Sequence, residues 1–95
     1  MKVSIILPIS FNYSDAERSI ISCLNQTYKN IEILICLNGN KLEFNQNLIK
    51  KFKVYKKIKF YVKNYNNIVD ALNFLISKAT GKYIARIDAD DICKI

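Results

Sequence analysis

Apolar runs and segments of helical periodicity alternate along the chain and predict the order of its elements. Val3–Ile9 and Ile31–Leu37 are nearly continuous runs of apolar, largely β-branched residues, typical of strands that are buried on both faces of a parallel sheet. In residues 58–63, Ile, Phe and Val alternate with Lys and Tyr, which predicts a strand near a sheet edge with one solvated face. Tyr83–Ile87 predicts a fourth, buried strand.

The segments between these strands carry helix signals. A capping box that begins at Ser14 opens a first helix, and apolar residues at helical spacing over 44–52 indicate a weaker second helix. Asn66 or Asn67 can cap a third helix. Gly81 stands where a left-handed C-terminal cap is expected.

The resulting order, β-α-β-α-β-α-β, predicts an α/β fold: an open, mostly parallel sheet with flanking helices, formed by residues 1–95 as a single domain. In such sheets ligands bind beyond the carboxyl ends of the strands. Three loops therefore converge as a candidate site, namely Pro8–Asn12, Leu37–Asn40 and Asp88–Asp91.

Composition limits the partners. The formal charge is +7, and about half of the lysines lie between Lys50 and Lys63, a stretch without any acid. This uneven distribution favours phosphorylated ligands or the anionic inner face of a membrane over nucleic acid, so no nucleic-acid partner is expected. Three cysteines without any histidine indicate neither a disulfide framework nor a zinc site. Reduced thiols in a cytoplasmic protein fit this composition best.

The candidate chemistry lies at the end of the chain, where Asp88, Asp90 and Asp91 follow the last strand. Carboxylates this close repel one another and need a cation, a basic partner or full solvation to stay ionised. Hard oxygen ligands suit Mg²⁺ or Mn²⁺ completed by substrate phosphates. The alternative is a solvated acidic turn on a non-catalytic α/β binding or interaction module.

Three blocks of sequence resemble one family. V-S-I-I-L-P from Val3, L-N-Q-T-Y-K-N-I-E-I-L-I from Leu24 and A-T-G-K-Y-I-A-R-I-D-A-D-D from Ala79 occur in the order and at the spacing of family 2 glycosyltransferases. The resemblance covers essentially the whole chain and corresponds to the amino-terminal, nucleotide-sugar-binding half of their Rossmann-like GT-A fold. It implies a transferase that passes a sugar from a nucleotide diphosphate to an acceptor, with inversion.

The family's D-x-D motif matches Asp88, Ala89 and Asp90. By resemblance, Asp90 ligates the divalent metal directly, whereas Asp88 faces the ribose or reaches the metal through water. The implied cofactor is Mn²⁺ or Mg²⁺, which acts as a Lewis acid for the departing diphosphate.

The first two loops match the family less closely. Pro8, Ile9 and Phe11 correspond to the loop that borders the base, with Phe in place of the usual Tyr and one extra residue. Leu37 and Asn38 stand where the family has two acids, one of which binds uracil. A UDP-sugar remains the favoured donor, with Asn38 offering its amide to the base.

The resemblance also implies that the general base lies downstream of these residues, so that a truncated half-domain of this kind binds a donor without turning it over. Whether the chain is itself an enzyme therefore stays open at this point. The acceptor, which can be a glycan, a lipid or a polysaccharide, is not identified. Uncovered sheet edge and apolar helix faces predict self-association.

Overall fold

The fold is given by a computed structural model, which describes residues 2–9, 16–25, 29–38, 42–65 and 67–87, without the side chains of 42–44. Within these residues four strands and three helices alternate in the predicted order. The strands are β1 (Val3–Ile9), β2 (Ile31–Asn38), β3 (Ile58–Lys63) and β4 (Tyr83–Arg86), and the helices are α1 (Ala16–Leu24), α2 (Leu42–Phe52) and α3 (Ile68–Lys78).

The four strands form one sheet in the order β3-β2-β1-β4, and every pairing is parallel. The two most apolar strands, β1 and β2, occupy the centre, where both faces are covered. This arrangement confirms the predicted Rossmann-like α/β half-domain.

The helices cover the two faces of the sheet unequally. Alternate side chains of β1 and β2, among them Ile5 and Ile33, pack with α1 and α2 in one cluster. The intervening side chains, such as Ile6 and Leu34, pack against Leu75 of α3 on the other face. Because α3 leads from β3 back across the sheet to β4, a right-handed crossover places it opposite α1 and α2.

The edge strands differ from expectation. β3 lies at an edge as predicted, but its second face is partly covered: the Tyr61 ring meets the Phe74 ring of α3 edge-on at 5.1 Å, whereas Lys59 stays exposed. On the first face, Val62 is 51% exposed. β4 was expected to be buried, yet it pairs only with β1 in the described part of the chain, and Tyr83 and Ile84 are exposed. Apolar composition predicted the strands correctly, while sheet position decided their burial.

The caps of α3 give one confirmation and one correction. Asn67 caps the helix, since its Oδ1 accepts a hydrogen bond from the Asp70 amide at 2.9 Å. The predicted left-handed cap at Gly81 is wrong: the helix ends at Lys78, its C-cap Ala79 is extended, and the φ of Gly81 lies outside the left-handed region. Gly81 is instead required by close packing, because a Cβ there would lie 2.6 Å from Ser4 Oγ.

Cys23 and Cys36 are not part of a disulfide, have no exposed surface and serve as small core residues. Burial raises the pKa of the Cys36 thiol to about 11, which keeps it protonated and unreactive at neutral pH. Cys93 lies outside the described residues. Among the helices that the structure describes, none has the length and apolarity to cross a bilayer.

Candidate functional site

The order of the strands reverses at one place in the sheet, the kind of position where open parallel sheets form a ligand crevice. From β1 the chain moves outward to β2 and β3, and it then returns through α3 to β4 on the other side of β1. The connections that leave β1 and enter β4 thus diverge to opposite faces. In open parallel sheets the ligand site lies at such a reversal, beyond the carboxyl ends of the two strands.

Pro8 ends the ladder between β1 and β4 at this reversal. The last paired residues are Ile6 and Arg86, and the Ile87 amide still donates to the Ile6 carbonyl at 3.0 Å. In a parallel strand, every second residue directs both its amide and its carbonyl toward the same neighbouring strand. The amide of residue 8, two positions after Ile6, would therefore be the next to donate toward β4. Proline has no amide hydrogen, and the two strands are therefore free to separate where the candidate site begins.

Pro8 and Ile9 were expected to border a nucleotide, and the structure places both at the carboxyl end of β1. The Ile9 side chain is fully buried in the core cluster, and Pro8 is buried as well. Ile9 can therefore line the crevice only with its backbone. Its side chain holds β1 in place beneath the site.

Asn38, at the carboxyl end of β2, is used as a clamp. It is 7% exposed, its Oδ1 accepts from the Tyr65 amide at 2.6 Å, and its Nδ2 donates to the Tyr65 carbonyl at 3.2 Å. The amide thereby ties the end of β2 to the connection between β3 and α3. Within the described part of the chain, this leaves one N–H and one oxygen lone pair of the side chain for another partner.

Packing around Tyr65 extends this clamp to α3. The centre of the Tyr65 ring lies 6.2 Å from the centre of the Phe74 ring. Lys63 Nζ lies 4.4 Å from the centre of the Phe74 ring. Leu72 of α3 packs half-buried against the cluster on this face.

The remaining predicted site residues lie outside the described part of the chain: Phe11, Asp88, Ala89 and Asp90, together with Asp91. Ile87, the residue that precedes Asp88 in the chain, is bonded to β1 beside the crevice. Among the residues with described positions, no three His, Cys, Asp or Glu side chains form a group that could hold a metal ion.

One polar network was missed by the sequence analysis, and it lies at the opposite, amino-terminal end of the strands. Buried Glu32 accepts from Ser4 Oγ at 2.6 Å, from the Thr80 amide at 2.7 Å and from Thr80 Oγ1 at 3.0 Å, and Lys2 Nζ lies 3.3 Å away. Ser4 Oγ also accepts from the Gly81 amide at 2.8 Å. A single acid within the apolar run of β2 was the signal, because a buried carboxylate needs partners.

The network shifts the titration of Glu32. Burial by itself raises the pKa of the carboxyl, but the hydrogen bonds from Ser4 and Thr80, with Lys2 nearby, outweigh it and lower the pKa to about 2. Glu32 is therefore ionised at neutral pH. Its distance from the carboxyl ends of the strands makes its role structural.

Comparison with known proteins shows which proteins this chain resembles. A family model described as glycosyl transferase family 2 matches residues 4–95. An uncharacterized glycosyltransferase of Rickettsia bellii is 37% identical over 91 residues, which cover 96% of this chain and 13% of that protein. The O-antigen biosynthesis glycosyltransferase WbnJ of Escherichia coli is 31% identical over 91 residues, covering 95% of this chain and 36% of WbnJ.

A solved structure extends the comparison to the fold. A mannosyltransferase of Pyrobaculum calidifontis, in complex with GDP-Man and Mn²⁺, superimposes with a TM-score of 0.80 at 17% identity, over 93% of this chain and 27% of that protein. This chain therefore spans a minor part of the proteins it resembles.

Proposed function

The chain belongs to glycosyltransferase family 2, and from this premise we propose that its crevice binds the nucleotide-diphosphate sugar that donates the sugar in an inverting transfer. The observation that carries the proposal is the reversal of strand order between β1 and β4. This reversal brings the end of β1 beside the strand that leads into the acidic cluster. The base and the diphosphate of a donor can thus be bound at one edge of the sheet.

The acidic cluster is the proposed metal site, with Asp90 as a direct ligand and Asp88 as a second contact. Their carboxylates are the hard oxygen donors that Mn²⁺ and Mg²⁺ prefer. The bound ion supplies a Lewis acid for the negative charge on the leaving diphosphate. The complex of the Pyrobaculum enzyme with Mn²⁺ supports this assignment.

For the nucleoside, we propose that Pro8, Ile9 and Phe11 border the base, with Phe11 stacking on it. Asp88 and Ala89 would also contact the nucleotide, with Asp88 facing the ribose. Asn38 would offer its remaining N–H and lone pair, and the neutral amide fits a uracil edge. A UDP-sugar is therefore the proposed donor. GDP is the nucleotide to compare with UDP, because the structure of the Pyrobaculum enzyme contains GDP-Man.

The acceptor and the setting are also proposals. The role of WbnJ in O-antigen biosynthesis supports a glycan or polysaccharide acceptor. The basic charge supports a cytoplasmic location at the inner face of a membrane. No acid of this chain is assigned as the general base of the transfer.

Calorimetric titration of UDP and of GDP into the chain, with Mn²⁺ and with EDTA, tests the proposal. We expect metal-dependent binding that favours UDP and is lost in Asp88→Asn/Asp90→Asn. Asp70→Asn, the same chemical change at the exposed start of α3, should bind like the unmodified chain. If the chain is folded by circular dichroism and binds neither nucleotide, the donor site is refuted and the non-catalytic interaction module is favoured.

A further inference from the structure

A cavity lies at the end of the sheet opposite the candidate site. It occupies about 660 Å³ where the last turns of α1 and α2 meet the turn that enters β3. Both helices run antiparallel to the strands, so their ends lie near the strands' amino termini. We name this cavity the basic groove; its apolar lining is Ile21, Leu24, Phe52, Val54 and Tyr55, and its basic lining is Lys51, Lys56 and Lys57.

Three of the apolar side chains in the basic groove face solvent. Val54 is 72% exposed, Tyr55 45% and Ile21 42%. The turn that carries Val54 and Tyr55 has its own hydrogen bonds, since the Tyr55 amide donates to the Phe52 carbonyl and the Ile58 amide donates to the Tyr55 carbonyl, both at 3.1 Å. This turn can therefore enter a less polar environment without leaving those two amides unpaired.

The charge around the basic groove is predominantly positive. Seven lysines and no acid lie between Lys50 and Lys63, and all of these lysines except Lys63 are exposed. Glu17 of α1 forms an ion pair with Lys51. Lys53 and Lys56 flank the Val54–Tyr55 pair directly in sequence, so an apolar tip is enclosed by cations.

We propose that the basic groove docks the chain on anionic phospholipid bilayers, with Val54 and Tyr55 entering the interfacial layer and the flanking lysines contacting lipid phosphates. Lysine suits this role because its long apolar stem lies along the interface while the ammonium reaches the headgroups. Tyrosine prefers the same depth, since its ring is apolar and its hydroxyl is polar. Docking here leaves the opposite end of the sheet open to solvent, and the inference stands independently of the proposed donor site.

An anionic surface of another kind would use the groove differently. Nucleic acid is recognised mainly by arginine forks and stacking aromatic rings, and the basic lining of the groove is entirely lysine. An acidic protein would be attracted by the lysines, but it would not draw Val54 into a hydrocarbon-like layer. These alternatives are separated by whether the tip inserts.

Co-sedimentation with vesicles of neutral lipid, or of neutral lipid mixed with phosphatidylglycerol, measures docking of the whole 95-residue chain. We expect binding to the anionic vesicles only, weakening from about 0.05 M to about 0.5 M salt. Lys53→Glu/Lys56→Glu should reduce the partition coefficient at least about 25-fold, at about fivefold per lysine. Lys78→Glu/Lys82→Glu makes the same change of charge at exposed positions outside the groove, and a much smaller decrease is expected.

Insertion is tested separately. Val54→Ser/Tyr55→Ser should weaken binding about tenfold while leaving the net charge unchanged. The chain contains no tryptophan, so Tyr55→Trp provides a single tryptophan whose emission should shift to the blue on anionic vesicles, whereas Tyr83→Trp on β4 should not shift.

Three results would overturn the proposal. They are equal binding to neutral vesicles, equal losses in the two lysine pairs, and a Tyr55→Trp emission that stays unchanged on vesicles. Binding of soluble polyglutamate as tightly as vesicles, with no blue shift, would point to an acidic protein partner instead.

Discussion

The buried carboxylate of Glu32 gives a prediction that can be worked out from the structure. Glu32→Gln keeps the size and shape of the side chain but removes the charge that accepts hydrogen bonds from Ser4 and Thr80 and faces Lys2. The network joins β1, β2 and the segment before β4, so its weakening affects the centre of the sheet. We expect a folded but less stable chain.

The magnitude follows from the pKa of Glu32. A decrease from 4.5 to about 2 corresponds to about 3 kcal/mol of unfolding free energy at neutral pH, because one pKa unit equals about 1.4 kcal/mol. The folded state binds the proton more weakly than the unfolded state does. The contribution is therefore complete above about pH 4.5 and is lost as the pH falls toward about 2. Glutamine resembles the protonated acid, so the two chains should converge at low pH.

Urea denaturation followed by far-ultraviolet circular dichroism between pH 7 and pH 3 measures this difference. We expect Glu32→Gln to lose about 2 to 3 kcal/mol at pH 7 and progressively less below pH 4.5. Glu17→Gln, the same change at a half-exposed carboxylate, should stay within about 0.5 kcal/mol. A difference between Glu32→Gln and the unmodified chain that is constant over this pH range would refute the reasoning, since it could not come from the charge.

Three further predictions concern packing and edges. Gly81→Ala should lower the free energy of unfolding by about 1 to 3 kcal/mol in urea denaturation, because a Cβ would lie 2.8 Å from the Ser4 amide nitrogen; an unchanged midpoint would contradict that contact. Asn38→Asp should cost about 1 to 3 kcal/mol in the same assay, since a carboxylate would face the Tyr65 carbonyl, and equal stability would show that the clamp is not formed. Exposed Tyr83 and Ile84 on β4 predict self-association that sedimentation velocity detects and that Tyr83→Lys/Ile84→Lys reduces; a monomer at high concentration would exclude it.

The pattern of hydrophobic residues was sufficient to predict the strands, the helices and much of the core. The apolar runs at Val3–Ile9 and Ile31–Leu37 can be satisfied only by burial on both faces, so their central place in a parallel sheet follows from composition. The same reasoning overestimated the burial of Tyr83 and Ile84. Whether a short apolar strand has one neighbour or two depends on the rest of the sheet, which the strand's own residues do not encode.

The candidate site divides in a similar way. Its location at the carboxyl ends of the strands followed from the alternation of strands and helices, and the acidic motif followed from the spacing of Asp88 and Asp90. The hydrogen bond between the Asn38 side chain and the Tyr65 amide was not predictable, because Tyr65 is 27 residues away in the chain and contributes a backbone group. Sequence patterns identify side chains that can form hydrogen bonds, and the fold selects their partners.

By itself, the sequence determined the class of fold and the order of its elements, because these depend on local periodicity. It also determined the family, because the family depends on short sequence motifs. Only the tertiary structure decided the strand order β3-β2-β1-β4, which reverses beside Pro8, and the packing that requires Gly81 next to Ser4. Both depend on contacts between residues far apart in the chain. Such contacts are fixed by the joint geometry of all the strands and helices, and no single segment specifies them.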